Sequence, residues 1–464
     1  MPKRFRPHDI GQQLLLPPDL RAWLPEGHLA LFVSDVVEAL DLSEVFASYD
    51  EKDGRGKAAY HPRMMTKLLV YGYCIGVTSS RKLERATHED VAFRVLSADE
   101  HPDHDSIAEF RKRHLKALAG LFKQVLKLCR KDGLASLGKV AIDGTKVKAN
   151  ASKHKAMSYG RMGETEKRLE EEVRRLLEEA ERVDDEEDAK FGKGKRGDEL
   201  PEELARRETR LKRIREAKEA LEKEAKEQAE REAEEAKARI AERERKARES
   251  GKRPGGRPPA IPDPDEAKPE AKAQRNFTDP ESRIMLDGAT KGFIQGYNAQ
   301  IAEDGDHQII VATELGQNGS DNGRLVPVIA QIAANTGRLP EAVLADAGYF
   351  SEANVTDPRV APVDLYVPPN HREGKPAKDG GTGSPKSEAA RLMREKLTST
   401  AGKAVYKLRK TIVEPVFGQI KEVRGFRRFS FRGFERASAE WDIVCLTHNL
   451  LKLFRSGARV QALG

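Results

Sequence analysis

Three acidic stretches spread along the chain have the residue types and settings that metal-assisted chemistry requires. Asp143 ends the apolar run Val140, Ala141, Ile142 and leads into Gly144, Thr145 and Lys146. Asp346 ends the run from Ala342 to Ala345 and leads into Ala347, Gly348 and Tyr349. Glu414 stands in the stretch from Val413 to Lys421. The two apolar runs read as buried strands, and the third stretch reads as a helix that opens at Glu414. A carboxylate at the end of a core strand is costly unless something cationic holds it. Three that converge make an oxygen-rich pocket for hard divalent cations. Between Lys407 and Arg436 there are nine Lys or Arg against three Glu, a setting that suits a phosphodiester. Lys421 follows Glu414 by two helical turns, so both project from one face. Asp279, Asp304, Asp306 and Asp364 are rival acids, but turn or cap roles account for each. His448 lies in an apolar helix and reads as a core group.

Composition narrows the class. At 464 residues the chain is long enough for two or three domains, and 38% hydrophobic against 34% charged residues leaves only a modest core. Residues 161–250 hold 30 acidic and 26 basic residues, so the net charge of +7 is carried elsewhere and favours a polyanionic partner. Cys74, Cys129 and Cys445 are isolated, which argues against structural zinc and against a disulfide framework. With no leader-like apolar segment and no run of membrane-spanning length, the expectation is a soluble, cytoplasmic, nucleoid-associated protein without a membrane partner.

The elements that must position the three acids divide into five segments. Residues 1–135 read as an all-α N-terminal domain for DNA binding or assembly. Its helices run from Pro62 to Gly76, from a cap at Ser79, from Glu89 to Leu96, and through a basic stretch that carries Arg111 and Arg113 and could dock DNA as helix-turn-helix modules do. Residues 136–160 hold the first strand, with Asp143. Residues 161–249 place apolar positions three, four and seven apart, through Leu169, Val173, Leu176 and Leu177, then Leu211, Ile214 and Leu221. That spacing predicts a charged antiparallel helical hairpin, a coiled coil whose second helix thins to alanine and is expected to be solvated distally. Residues 250–275 form a Pro/Gly linker, and residues 276–464 read as strands, a helix, a strand, a short helix, a strand and closing helices.

That order, with carboxylates on the first strand, after the fourth strand and on a late helix, resembles the RNase H-like fold of DDE transposases and retroviral integrases. The stretches Asp143 to Lys146, Thr278 to Arg283, Gly296 to Gln300, Ala345 to Phe350, Val413 to Lys421, Gly425 to Arg428 and His448 to Leu450 resemble landmarks of the bacterial insertion-sequence transposases. The implied fold class is α/β: an RNase H-like mixed sheet with flanking helices, preceded by the all-α domain and interrupted by the hairpin. The implied activity is metal-dependent strand cleavage and strand transfer on double-stranded DNA, cut-and-paste transposition acting on terminal inverted repeats and a target. Asp143, Asp346 and Glu414 would be the catalytic metal ligands for two Mg²⁺ ions, with Mn²⁺ as a substitute. DNA contacts would fall to Lys421, Lys146, Arg424, Arg427, Arg428, Arg111 and Arg113, in a homodimer or higher oligomer. Two departures stand out. Tyr406 and Arg409 each sit one residue early for the Tyr, Arg, Glu, Lys spacing of related enzymes, so neither carries over, and the hairpin interrupts the fold between its first and second strands. Two other functions fit the same residues: a domesticated RNase H-like nuclease without transposition, and a non-enzymatic coiled-coil DNA-binding protein.

Overall fold

The computed structural model describes residues 19–50, 58–191, 202–250, 258–288, 290–369 and 387–458. The expected loops at Asp53 to Gly56 and Glu373 to Lys386, and the hairpin turn from Gly192 to Pro201, lie outside them. The chain divides into two compact units, residues 1–148 with 297–464, and residues 149–296.

The first unit begins with helices α1 (Leu29–Ala39), α2 (Ser43–Asp50), α3 (Pro62–Ile75), α4 (Ser80–Glu89), α5 (Val91–Leu96), α6 (His104–Arg113) and α7 (Leu115–Lys131). Local chemistry sets their ends. Pro62 occupies the first turn of α3, where its missing N–H costs nothing, and Gly76 closes that helix at φ +82°. Asp90 and Asp103 cap α5 and α6, accepting from Ala92 N at 2.8 Å and Ser106 N at 2.7 Å. The basic stretch that carries Arg111 and Arg113 forms α6 and breaks at His114 before α7. Strand β1 (Lys139–Lys148) follows, with Val140, Ala141 and Ile142 fully buried.

The second unit holds β2 (Ala156–Ser158), α8 (Tyr159–Phe191), α9 (Glu202–Ser250), β3 (Gln274–Asn276) and β4 (Arg283–Leu286). Helices α8 and α9 are the expected charged hairpin. Met162 and Leu169 of α8 pack on Leu211, Ile214, Ala217 and Leu221 of α9, and the ion pair Arg207–Glu172 at 2.9 Å fixes the antiparallel register. Leu177, by contrast, is exposed, so the seam does not extend to it. The distal alanines of α9 are not solvated: Ala229, Ala233 and Ala236 are buried, and Lys226 pairs with Asp265 of the following segment at 2.6 Å. Strands β2 and β3 pair antiparallel at the hairpin base, a small sheet that the sequence does not announce.

Strand β5 (Phe293–Asp304) begins in the second unit, where it pairs with β4, and continues into the first. There it is followed by β6 (Ile310–Gly316), α10 (Leu325–Thr336), β7 (Ala342–Ala345), α11 (Glu352–Val355), β8 (Asp364–Tyr366), α12 (Glu388–Thr398), α13 (Thr400–Gly418) and α14 (Phe434–Arg455). The order across the sheet is β6, β5, β1, β7, β8, with β5 antiparallel to β6 and with β1, β7 and β8 parallel. This is the RNase H-like mixed sheet. Asn449 of α14 clamps its edge: Asn449 Nδ2 donates to Ile310 O and Ile310 N donates to Asn449 Oδ1, both at 2.8 Å.

Helix α13 carries the largest departure from expectation. Glu414 does not open a helix but lies near the end of one that starts at Thr400, and Pro415 sits inside it. Proline removes one backbone donor, which would orphan the Thr411 carbonyl, and Gln308 Nε2 donates to that carbonyl at 3.0 Å. A π-helical turn, Gln419–Val423, follows.

Candidate active site

Strand register brings the first two acids together. Ile142 pairs with Ala345 in the parallel β1–β7 ladder, so Asp143 and Asp346 are the next residues along adjacent strands. Parallel neighbours lie about 4.8 Å apart, and two carboxylates so placed repel unless cations intervene. Arg409 of α13 supplies one: its guanidinium donates to Asp143 Oδ2 at 2.8 Å, while Gly144 N donates to Oδ1 at 2.8 Å. Burial pushes the Asp143 carboxyl above its ordinary range, Arg409 and the Gly144 N–H oppose that rise, and Asp346 adds to it. The Asp346 Oδ1 atom accepts from Gly348 N at 2.8 Å in a tight turn.

Helix α13 reaches the site because its apolar face lies on the sheet. Ile412 and Val413 pack with Ala141 of β1 and Leu344 of β7, joined by Val405 and Phe417. Arg409 shares that face. Tyr406 also stands beside the acids, its hydroxyl pushed up chiefly by burial, with Arg409 lowering it and Asp346 and Asp143 raising it. Spacing argues against a site role for either residue, yet the fold brings both to the Asp143–Asp346 pair.

Glu414 is placed differently. Five residues after Arg409 it stands about 140° round the helix, on the flank that carries Lys421, and it is exposed. Lys421 Nζ donates to the Lys146 carbonyl at 3.0 Å, which ties that flank to the end of β1. Lys146 itself is only 13% exposed and turns to Asp321, with Nζ 3.6 Å from Oδ1.

The other cations expected at DNA separate into two kinds. Arg427 and Arg428 are exposed, with Arg427 paired to Glu422, and the backbone around them bonds to β1 through Lys148 N to Arg427 O at 3.2 Å and Phe429 N to Lys148 O at 2.8 Å. Arg113 is exposed above the Tyr49 ring. Arg424 and Arg111 are corrections: both are buried and work inside the fold. Arg424 donates to Thr447 Oγ1 at 2.6 Å and Val444 O at 3.1 Å, and burial pulls its guanidinium down to about 10. Arg111 donates to Thr78 O at 2.7 Å and lies against the Phe431 ring, so neither guanidinium faces a solvent-borne phosphate.

Sequence reasoning missed Asp321, and it gave no role to Asn298 and Gln300 although both lie in the landmark stretch Gly296 to Gln300. Asp321 lies within the Gly/Asn/Ser loop between β6 and α10, five residues past the end of β6, and a carboxylate in a loop that follows an apolar strand was the available signal. His448 is the core group expected: its ring nitrogens meet Gln308 O at 2.9 Å and Gln419 Oε1 at 3.2 Å, and burial drives its pKa down to about 3. Asp304 is the turn residue expected, accepting from Asp306 N at 3.0 Å, and it also accepts from Leu137 N at 2.8 Å.

The donor set suits a hard cation. Asp143 and Asp346 offer carboxylate oxygens, and the three thiols are all buried. Among the described residues no three His, Cys, Asp or Glu side chains are gathered into a ready cage.

Comparison with known families agrees with this architecture. Residues 18–113, spanning α1 to α6, match a transposase domain of the DUF772 type, and residues 272–450 match a transposase DDE domain. The chain belongs to the insertion-sequence DDE transposases. The DDE match takes in Asp346 and Glu414 but starts after Asp143, because the hairpin unit separates β1 from the rest of the transposase sheet. No curated protein and no solved structure matches the chain. Among the described residues no helix is long and apolar enough to cross a membrane.

Proposed function

We propose that this transposase binds the ends of its own insertion sequence and catalyses metal-dependent strand cleavage followed by strand transfer, in a cut-and-paste cycle. The observation that carries the reading is the register of β1 and β7, which sets Asp143 and Asp346 side by side beneath a helix bearing Arg409 and Glu414. Asp143 and Asp346, with Glu414 brought in from the flank of α13, would hold two Mg²⁺ ions, for which Mn²⁺ could substitute. Such ions activate a water or a 3′-hydroxyl and relieve charge at the phosphate. The chain's own cations do the rest. Arg409 offsets the buried charge of Asp143 in the resting site. Lys146 and Lys421, with exposed Arg427, Arg428 and Arg113, would position phosphates of double-stranded terminal and target DNA, in a homodimer or larger assembly.

Incubating the full chain with Mg²⁺ and the DNA flanking its own reading frame, and mapping the released ends, tests this reading. Asp143→Asn, Asp346→Asn and Glu414→Gln should each lower cleavage by several orders of magnitude and leave DNA binding in place, because binding rests on Lys and Arg contacts. Full cleavage by Asp346→Asn would overturn the mechanism.

A further inference from the structure

Asp321 belongs to none of the three acidic stretches, yet it is the most elaborately held carboxylate near the site. Its Oδ1 accepts from Asn298 Nδ2 and Gln300 Nε2, both at 2.7 Å, and the Lys146 ammonium stands 3.6 Å from the same oxygen. Asn298 and Gln300 are fully buried and two residues apart on β5, so the strand aims both amides to one side. Gln300 is also gripped at its other end, where the Tyr349 hydroxyl donates to Oε1. Gly144 makes room for the pair: a Cβ there would meet Gln300 Nε2 at 2.2 Å and Asn298 Oδ1 at 3.0 Å.

The free end of Asp321 faces the acids. A Cβ built on Gly348 would lie 2.9 Å from Asp346 Oδ1 and 3.5 Å from Asp321 Oδ2, so those oxygens are no farther apart than the sum of the two distances. Lys146 has three carboxylates within electrostatic reach, Asp321 in contact and Asp143 and Asp346 beyond it. Burial lowers its pKa, and Asp321 opposes that most strongly, ahead of Asp143 and Asp346. A lysine ammonium is a compact charge on a flexible stem and settles on whichever carboxylate is best placed. Two neutral amides hold Asp321 in place without cancelling its charge.

We propose that Asp321 is a positioning residue that keeps the Lys146 ammonium off the oxygens of Asp143 and Asp346. Asp346 then stays open to a divalent cation beside Asp143, which Arg409 holds, and Lys146 waits on the flank where a non-bridging oxygen of a phosphodiester would lie. The part concerning the cation and the phosphate rests on the proposed function; the placement of Lys146 does not.

Two measurements on the full chain separate these parts. In the first, Mn²⁺ binding is followed by electron paramagnetic resonance, without DNA. Asp321→Asn should weaken Mn²⁺ binding about tenfold, as loss of an outer partner does at metal sites. Lys146→Met should bind at least as tightly as the parent, and the double variant should recover parental affinity, because no ammonium remains to compete. A double variant as weak as Asp321→Asn would make Asp321 a ligand itself and overturn the proposal, as would an unchanged Asp321→Asn. In the second measurement, crystal structures of the parent and Asp321→Asn locate Lys146 Nζ. It should move onto Asp143 or Asp346, and an unmoved ammonium overturns the proposal. Should the parent bind no Mn²⁺ while Lys146 moves as expected, the metal reading falls and the positioning role stands.

Discussion

Substituting Gly144 by alanine tests the packing beneath the site with a single methyl group. The new Cβ would lie 2.2 Å from Gln300 Nε2, 2.8 Å from Gln300 Cδ and 3.0 Å from Asn298 Oδ1. Ordinary contact begins near 3.4 Å, so the Gln300 amide must retreat by 1.2 Å (3.4 − 2.2). It has nowhere easy to go, since Gln300 is fully buried and bonded at both ends, to Asp321 and to Tyr349. Overpacking of this kind costs about 1–3 kcal/mol, and losing a hydrogen bond to a charged partner adds roughly 1.5–3 kcal/mol. A destabilisation of roughly 2.5–6 kcal/mol is therefore expected. Urea unfolding read by tryptophan fluorescence suits the measurement, because the buried Trp441 indole donates to the Gln300 carbonyl at 3.0 Å and reports on the same residue. Gly120→Ala serves as the control: nothing lies within 4 Å of a Cβ at that helical position, so it should be neutral or stabilising by up to about 1 kcal/mol. If Gly144→Ala unfolds at the same urea concentration as the parent, the close approach of the two amides is wrong, and the support of Asp321 with it.

Burial raises the pKa of Asp442 to about 6 from an ordinary 3.8, so its carboxylate form is penalised in the fold. The penalty is absent below pH 3.8, grows between 3.8 and 6, and is complete above 6, where it amounts to about 3 kcal/mol at 1.36 kcal/mol per unit. Asp442→Asn should thus match the parent near pH 4 and exceed it in stability by up to that amount above pH 6, which denaturant titrations across pH will check. Asn449→Ala leaves the Ile310 N–H and C=O without their partner, and at about 1–3 kcal/mol for each buried group should cost roughly 2–6 kcal/mol in the same assay. Replacing residues 173–206 by a short Gly/Ser link removes the hairpin tip but spares the buried packing of Met162 and Leu169 on Leu211 to Leu221. The variant should keep Mg²⁺-dependent nicking and change its association state by light scattering; loss of nicking in a folded variant would contradict an assembly role for the tip.

Much of the framework was legible because its signals are periodic and local. Apolar runs of strand length ended at Asp143 and Asp346, and both strands appear with those acids in register. Caps such as Asp103 and the hairpin's three-and-four spacing also act within a few residues, so sequence alone locates them. What stayed hidden depends on contacts far apart in sequence. Lys146 meets Asp321 and Arg409 meets Asp143 only after the sheet closes. Burial is hidden in the same way: Arg111 and Arg424 look like their exposed neighbours in a basic run, yet the helices around them turn both inward. The alanine seam of α9 misled for a related reason, since alanine shows no strong periodic signal even where it is buried.

The spacing on α13 shows how a one-residue change alters a site's logic. With three residues between them, Arg409 and an acid at position 413 would face the sheet together, only about 40° apart on the helix. Position 413 is instead a valine packed on Ala141 and Leu344, and the acid stands one residue later, turned away from Arg409 and toward the Lys421 flank. The helix thus offers Asp143 a cation and an apolar seat, and keeps its carboxylate at the rim. Pro415, with Gln308 covering the carbonyl it frees, and the π turn from Gln419 to Val423 place the irregular part of the helix directly after Glu414. Backbone irregularity is where a helix most readily re-aims its side chains, so this is the segment in which Glu414 would be drawn toward Asp143 and Asp346.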